Sequence, residues 1–255
     1  EGAIKIEDLK IFCKENKIKA AGLSDTSNLC GSLEFSESLS KSGTQPIIGT
    51  QILFNFKDEV GSLPLVAMSE IGYRKIVELS SKSYLNNTKN LEPQCSLESL
   101  FEKSAGIILL SGSINGLIGK LFNKGKFSEI EEIYKLAKKN YGDNFYVEIQ
   151  RHGDLNERSF ENFNLSLSKK FNLPLIATQE VYYLDKSMHD AHEALICIGQ
   201  KTYLNEKNIA MGKLLPAFRI SLTGLGAGPS LFDIAALLGK NETIKRLQTA
   251  LENIK

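Results

Sequence analysis

The stretch NFYVEIQRHGDLNERSFENFNLSLSKKFNLPLIATQE, residues 144–180, decides the fold class. It opens on a short apolar, β-branched run, NFYVEIQ (144–150), and closes on another, LPLIATQE (173–180). Between them, 156–171 carries apolar residues at helical period. A strand, a helix and a strand in succession predict a parallel pair with its crossover helix.

Working outward, the same unit recurs over 5–199. Further buried strands are expected at 18–25, 45–56, 63–69 and 106–112, and further helices at 6–16, 28–42, 70–83, 96–103 and 127–140. In FSEIEEIYKLAKKNYG, Ile130, Ile133, Tyr134 and Ala137 fall at i, i+3, i+4 and i+7, and Gly142 closes the helix. Repeated units argue for parallel strands with helices outside, as a barrel or as a doubly wound sheet; periodicity alone does not choose between them. Polar residues gather where strands end: Ser24-Asp25-Thr26, Gln51, Gln150-Arg151-His152 and Gln179-Glu180. In a barrel those ends form the face where sites are built.

After Gly199 the pattern stops. Residues 200–230 carry turn signals at Gly224, Gly226, Gly228 and Pro229, and two short helices are expected at about 230–238 and 242–253, separated by Gly239 and Asn241. Charge changes there too: residues 201–255 hold eight Lys/Arg and four Asp/Glu, a net of +4, against −3 for the rest.

Composition bounds the function. The 255 residues are 42% hydrophobic and 24% charged with a net charge of +1, which is ordinary for a globular chain and gives no sign of a strongly basic nucleic-acid binder. No run reaches 18 apolar residues, so no membrane partner is expected. The first twenty residues lack a signal-peptide layout, and four scattered cysteines with no CxxC pair suit a reducing cytoplasm. The run 110–120 lacks the GxxxxGK[ST] phosphate loop and reads as a strand–turn–helix junction. Cys30 lies near a helix start but has no neighbouring histidine, so a buried structural thiol is expected. Three Asn-x-Ser/Thr triplets have no consequence in a cytoplasmic chain.

The densest chemistry is SMHDAHEALICIG (187–199), with two of the three histidines. On a helix His189 shares a face with His192 and with Glu193. A metal site needs three or four ligands. Asp25, His152, Asp190 and His192 supply four if the strand ends converge; otherwise they form a polar cluster satisfied by hydrogen bonds.

Several segments together, AGLSDTSNLCGSLEFSE (21–37), GTQPIIGTQI (43–52), GYRKIVELSSKSY (72–84), GIILLSGSINGLIGKLF (106–122), YVEIQRHG (146–153) and LPLIATQEVYYLDKSMHDAHEALICIG (173–199), resemble the PHP domains of bacterial DNA polymerase III alpha subunits. The resemblance covers 1–205 and implies an α/β fold, a distorted (β/α)7 barrel lacking its first strand, which in the family carries a His-x-His element. Intact members bind about three metal ions at the strand ends. By the same resemblance Asp25, His152, Asp190 and His192 stand at retained ligand positions, whereas Thr26, Gln51 and Tyr182 stand where ligands have been replaced. Each replacement removes a metal bond or a charge, so no trinuclear hydrolytic site is expected and zinc or manganese would bind weakly at most. The implied role is structural, alongside the rest of the polymerase and its proofreading subunit, with DNA met through the parent protein. A free-standing metal-dependent PHP phosphoesterase is the alternative.

The remaining segment, MGKLLPAFRISLTGLGAGPSLFDIAALLGKNETIKRL (211–247), resembles the end of bacterial glutamyl-tRNA synthetases, in their helical anticodon-binding domain. Residues 206–255 are expected to form this helical tail, and the join near 205–211 to unite two partial genes, with a genuine fusion as the alternative. Without a nucleotide-binding domain the tail cannot charge tRNA, and its net +4 supports only weak, salt-sensitive tRNA binding. A barrel short of one strand leaves two unpaired edges, so marginal stability is expected.

Overall fold

The computed structural model describes residues 2–85, 92–102, 104–200, 203–204, 209–210, 218–225 and 231–253. The chain divides into two compact units, Lys5–Glu180 and Glu1–Ile4 with Val181–Lys255.

The first unit begins with α1 (Ile6–Glu15) and continues β1 (Ala20–Thr26), α2 (Ser32–Lys41), β2 (Gln45–Phe56), β3 (Glu59–Ala67), α3 (Glu70–Leu85), β4 (Gln94–Ser96) and α4 (Leu97–Phe101). Then follow β5 (Ile107–Leu110), α5 (Leu117–Asn123), α6 (Phe127–Tyr141), β6 (Phe145–Ile149), α7 (Glu157–Phe171) and β7 (Leu175–Ala177). This is the α/β class expected. Its sheet runs β1-β2-β3-β5-β6-β7, with β4 beside the second half of β2.

The expectation of uniformly parallel strands needs correction. β1–β2, β2–β4, β5–β6 and β6–β7 are parallel, but β3 runs antiparallel to both β2 and β5. The reason is loop length. Phe56 pairs directly with Glu59, leaving Lys57 and Asp58 as a two-residue turn with Lys57 at φ 54°. A parallel connection needs a dozen residues or more, so a two-residue link can only reverse the chain.

The core forms where the buried face of β2 meets the helices. Ile52, Phe54, Leu63 and Leu65 are fully buried or nearly so, together with Ile76 and Leu79 of α3 and Leu117 and Leu121 of α5. Helix α6 buries Ile130, Ile133, Tyr134 and Ala137, the stripe its spacing predicts, and Gly142 caps it at φ 57°. Full burial of side chains of this size stabilises by about 1.5–3 kcal/mol each. Close approach of backbones sets where α3 lies: a Cβ on Gly72 would come 1.7 Å from the carbonyl oxygen of Gly106. The expected buried thiol at Cys30 is not found; Cys30 is exposed. It lies in the turn before α2, where its amide donates to Asn28 Oδ1 at 3.0 Å.

The second unit contains α8 (His189–Gln200), a two-stranded antiparallel ladder of β8 (Tyr203–Leu204) and β9 (Ile209–Ala210), a short helix over 218–223, and α9 (Leu231–Asn253). The two predicted C-terminal helices are the halves of α9, broken at Gly239 (φ 72°, ψ 166°). Arg246 Nη1 donates to the Leu222 carbonyl at 2.6 Å, holding α9 to the short helix. The predicted join at 205–208 and 211, and the turn residues Gly226, Gly228 and Pro229, lie outside the described residues. No helix of the described residues is long and apolar enough to cross a membrane.

Candidate functional site

Asp25 and Thr26 end β1, and the register places Thr26 directly beside Gln51 of β2. Two residues expected from the sequence to replace ligands are therefore cross-strand neighbours, both neutral. Asp25 is half-buried, and Thr50 Oγ1 donates to its backbone carbonyl at 2.7 Å.

His152 is exposed in the loop after β6. Its place is set by Glu157, in the first turn of α7. The Glu157 carboxylate accepts the His152 amide at 2.9 Å and the Gly153 amide at 2.8 Å. Burial pushes the Glu157 carboxyl upward, but the amides of His152, Gly153 and Asp154 and the His152 ring together hold it below the usual carboxylate range.

In the second unit, His192 of α8 is buried. Tyr182 stacks on it with centroids 5.4 Å apart and planes 16° apart, and Tyr183 packs from another side, also at 5.4 Å. Tyr182 thus fills space beside the imidazole. Asp190 is exposed and meets His189 Nδ1 at 3.2 Å, while His189 Nε2 lies 3.9 Å from Glu193. The helical reading of this segment, with His189 and Glu193 on one face, is what the structure shows.

Asp25 and His152 thus belong to one unit, Asp190 and His192 to the other. Among the described residues, no group of three His, Cys, Asp or Glu side chains is placed to hold a metal ion.

Sequence reasoning passed over the most elaborate polar arrangement at these strand ends. Glu148, within β6, is 5% exposed. Its amide donates to Ser111 Oγ at 2.9 Å; its Oε1 accepts Gln150 Nε2 at 3.1 Å and the Thr178 hydroxyl. These bonds tie the ends of β5, β6 and β7 together. Burial raises the Glu148 carboxyl above its ordinary range, the bonds from Thr178 and Gln150 partly offset this, and the charge of Glu180 adds to it. The Gly112 amide lies close enough to favour the ionised form, yet Oε2 finds no aligned donor. One signal for this cluster was available: an acidic residue inside an otherwise apolar, doubly flanked strand.

A PHP domain model matches residues 1–152, and an anticodon-binding domain model matches residues 185–251. The DNA polymerase III subunit alpha of Caulobacter vibrioides is 36% identical over 219 residues, covering 81% of this chain and 19% of that protein. Its counterpart from Rickettsia bellii is 34% identical over 214 residues, covering 82% and 18%. The chain therefore spans about a fifth of the length of the relatives it matches. Among solved structures, a Bifidobacterium adolescentis protein assigned as a metal-dependent phosphoesterase superposes with a TM-score of 0.46 at 10% identity, covering 71% of this chain and 84% of that one.

Proposed function

The chain belongs to the PHP domain family, and on that premise we propose that it is the PHP portion of a bacterial replicative polymerase alpha subunit, acting as a scaffold and not as a hydrolase. The observation that carries the replication reading is the 36% identity to a polymerase alpha subunit across 81% of the chain. The side-by-side placement of Thr26 and Gln51 supports inactivity, because neither side chain supplies the charge that holds a divalent ion. In this reading Asp25, His152, Asp190 and His192 are remnants of a metal site. The partners are the remainder of the polymerase and its proofreading subunit, DNA is met through the parent, and the setting is the bacterial cytoplasm. The purified chain should show no manganese- or zinc-stimulated phosphatase or 3′–5′ exonuclease activity. Metal-stimulated activity that disappears in His192→Ala would overturn the scaffold role.

The anticodon-binding match favours a second reading for the tail, that it retains RNA affinity. Residues 201–255 carry a net +4, so any attraction to tRNA is weak and falls with salt. A gel-shift titration with tRNA tests it. Sub-micromolar binding at physiological salt would make the tail an RNA-binding module, and absence of binding at low salt would remove that reading.

A further inference from the structure

Beside the strand ends of β5 and β6 lies a pocket of about 10 Å³, lined by Gly112, Ser113, Glu148, Gln150, Glu157 and Asn164 among others. Glu148, Gln150 and Asn164 are each at least nine-tenths buried, at 5%, 9% and 0% exposure. Each uses some of its polar atoms within the protein. Glu148 Oε1 receives Gln150 Nε2, and Asn164 Oδ1 receives the Tyr134 hydroxyl at 2.9 Å. Each also has one buried polar atom with no partner: Glu148 Oε2, Gln150 Oε1 and Asn164 Nδ2. An unpartnered buried polar atom costs about 1–3 kcal/mol, and the three residues that carry these atoms line one pocket.

We propose that this pocket is a binding site for one internal water molecule, which accepts from Asn164 Nδ2 and donates to Glu148 Oε2 and Gln150 Oε1. Size and valence both select water. The volume is that of a single molecule, and a site of this kind needs two to four polar partners. Two acceptors and one donor match what a water offers. A cation would face the N–H of Asn164, and an anion would face the oxygens of Glu148 and Gln150. Water also tolerates a change of state that an ion does not: when Glu148 takes a proton on Oε2, that bond reverses direction and none is lost. The water bridges β6 to α7, which carries Asn164, and so supports the strand end that precedes His152.

The test is a crystal structure of the full chain at a resolution that defines waters, with Gln150→Met in parallel. The expected result is a single peak at about 2.7–3.2 Å from all three atoms in the parent, lost in Gln150→Met. An empty pocket would overturn the proposal. So would side chains rotated to pair with one another, or a peak at the shorter distances and with the anomalous signal of a metal ion. A peak that persists unchanged in Gln150→Met would overturn it too. Should Gln150→Met fail to fold, the parent structure decides alone.

Discussion

Replacing Gly72 by Ala tests the packing that places α3 on the sheet. Gly72 is buried, and an added Cβ would stand 1.7 Å from the Gly106 carbonyl oxygen and 2.4 Å from its carbon, where real Cβ atoms keep 3.0 Å or more. The two backbones must separate by roughly the 1.3 Å difference. Neither side yields easily. The Gly106 carbonyl already accepts the Met68 amide at 2.9 Å, and Gly106 sits at φ 77°, a conformation that other residues rarely adopt. Moving α3 instead lifts Ile76 and Leu79, both 0% exposed, away from the core. Overpacking typically costs 1–3 kcal/mol, and a clash against fixed backbone belongs at about 3 kcal/mol. For a unit of this size that lowers the melting temperature by roughly 6–12 °C. Far-UV circular dichroism on heating and in urea measures both. Gly199→Ala is the control: nothing lies within 4 Å of its added Cβ, and in a helix the change should be neutral or gain up to about 1 kcal/mol. If Gly72→Ala stays within about 0.5 kcal/mol of the parent, the account of the Gly72–Gly106 contact is wrong.

Two pH-dependent effects follow from the carboxyls at the strand ends. Glu148 titrates higher in the folded chain than in the unfolded one, so its contribution is greatest below the ordinary carboxylate range and is lost as pH rises through the folded value. Glu148→Gln should therefore gain stability relative to the parent as urea midpoints are taken from pH 4 to pH 8, and a constant difference would contradict the buried-carboxyl account. Glu157 behaves oppositely: its folded value is depressed, so its contribution is present above the ordinary carboxylate range and is lost as pH falls through the folded value. Glu157→Gln should cost about 1–2 kcal/mol at pH 7 through weakened bonds to the 152–153 amides, and the gap should close in acid; equal loss at pH 7 and pH 3 would rule out the charge as its cause.

The local alternation of apolar runs and helical stripes was enough to determine most elements of the first unit, because periodicity is written within ten or fifteen residues; β4 was not expected, and β3 begins at Glu59, four residues before its expected span. The stripe Ile130, Ile133, Tyr134 and Ala137 is buried as its spacing requires, and β6, α7 and β7 fall within the expected spans. The break in α9 was likewise legible, since a glycine at that point ends a helix by its own backbone freedom. What the tertiary structure decided is everything that depends on which segments meet. A two-residue turn at Lys57–Asp58 reversed β3, where a gap of six residues between expected strands had left direction open. Register set Thr26 beside Gln51, positions 25 residues apart in the chain. The bonds of Glu148 to Ser111, Gln150 and Thr178 exist because β5, β6 and β7 end at one level, a fact held by no single stretch of sequence. Composition and period are sums over neighbours in the chain. Pairing, register and the satisfaction of buried polar groups are properties of neighbours in space, and they arise only once burial has chosen among the ways the same elements could pack.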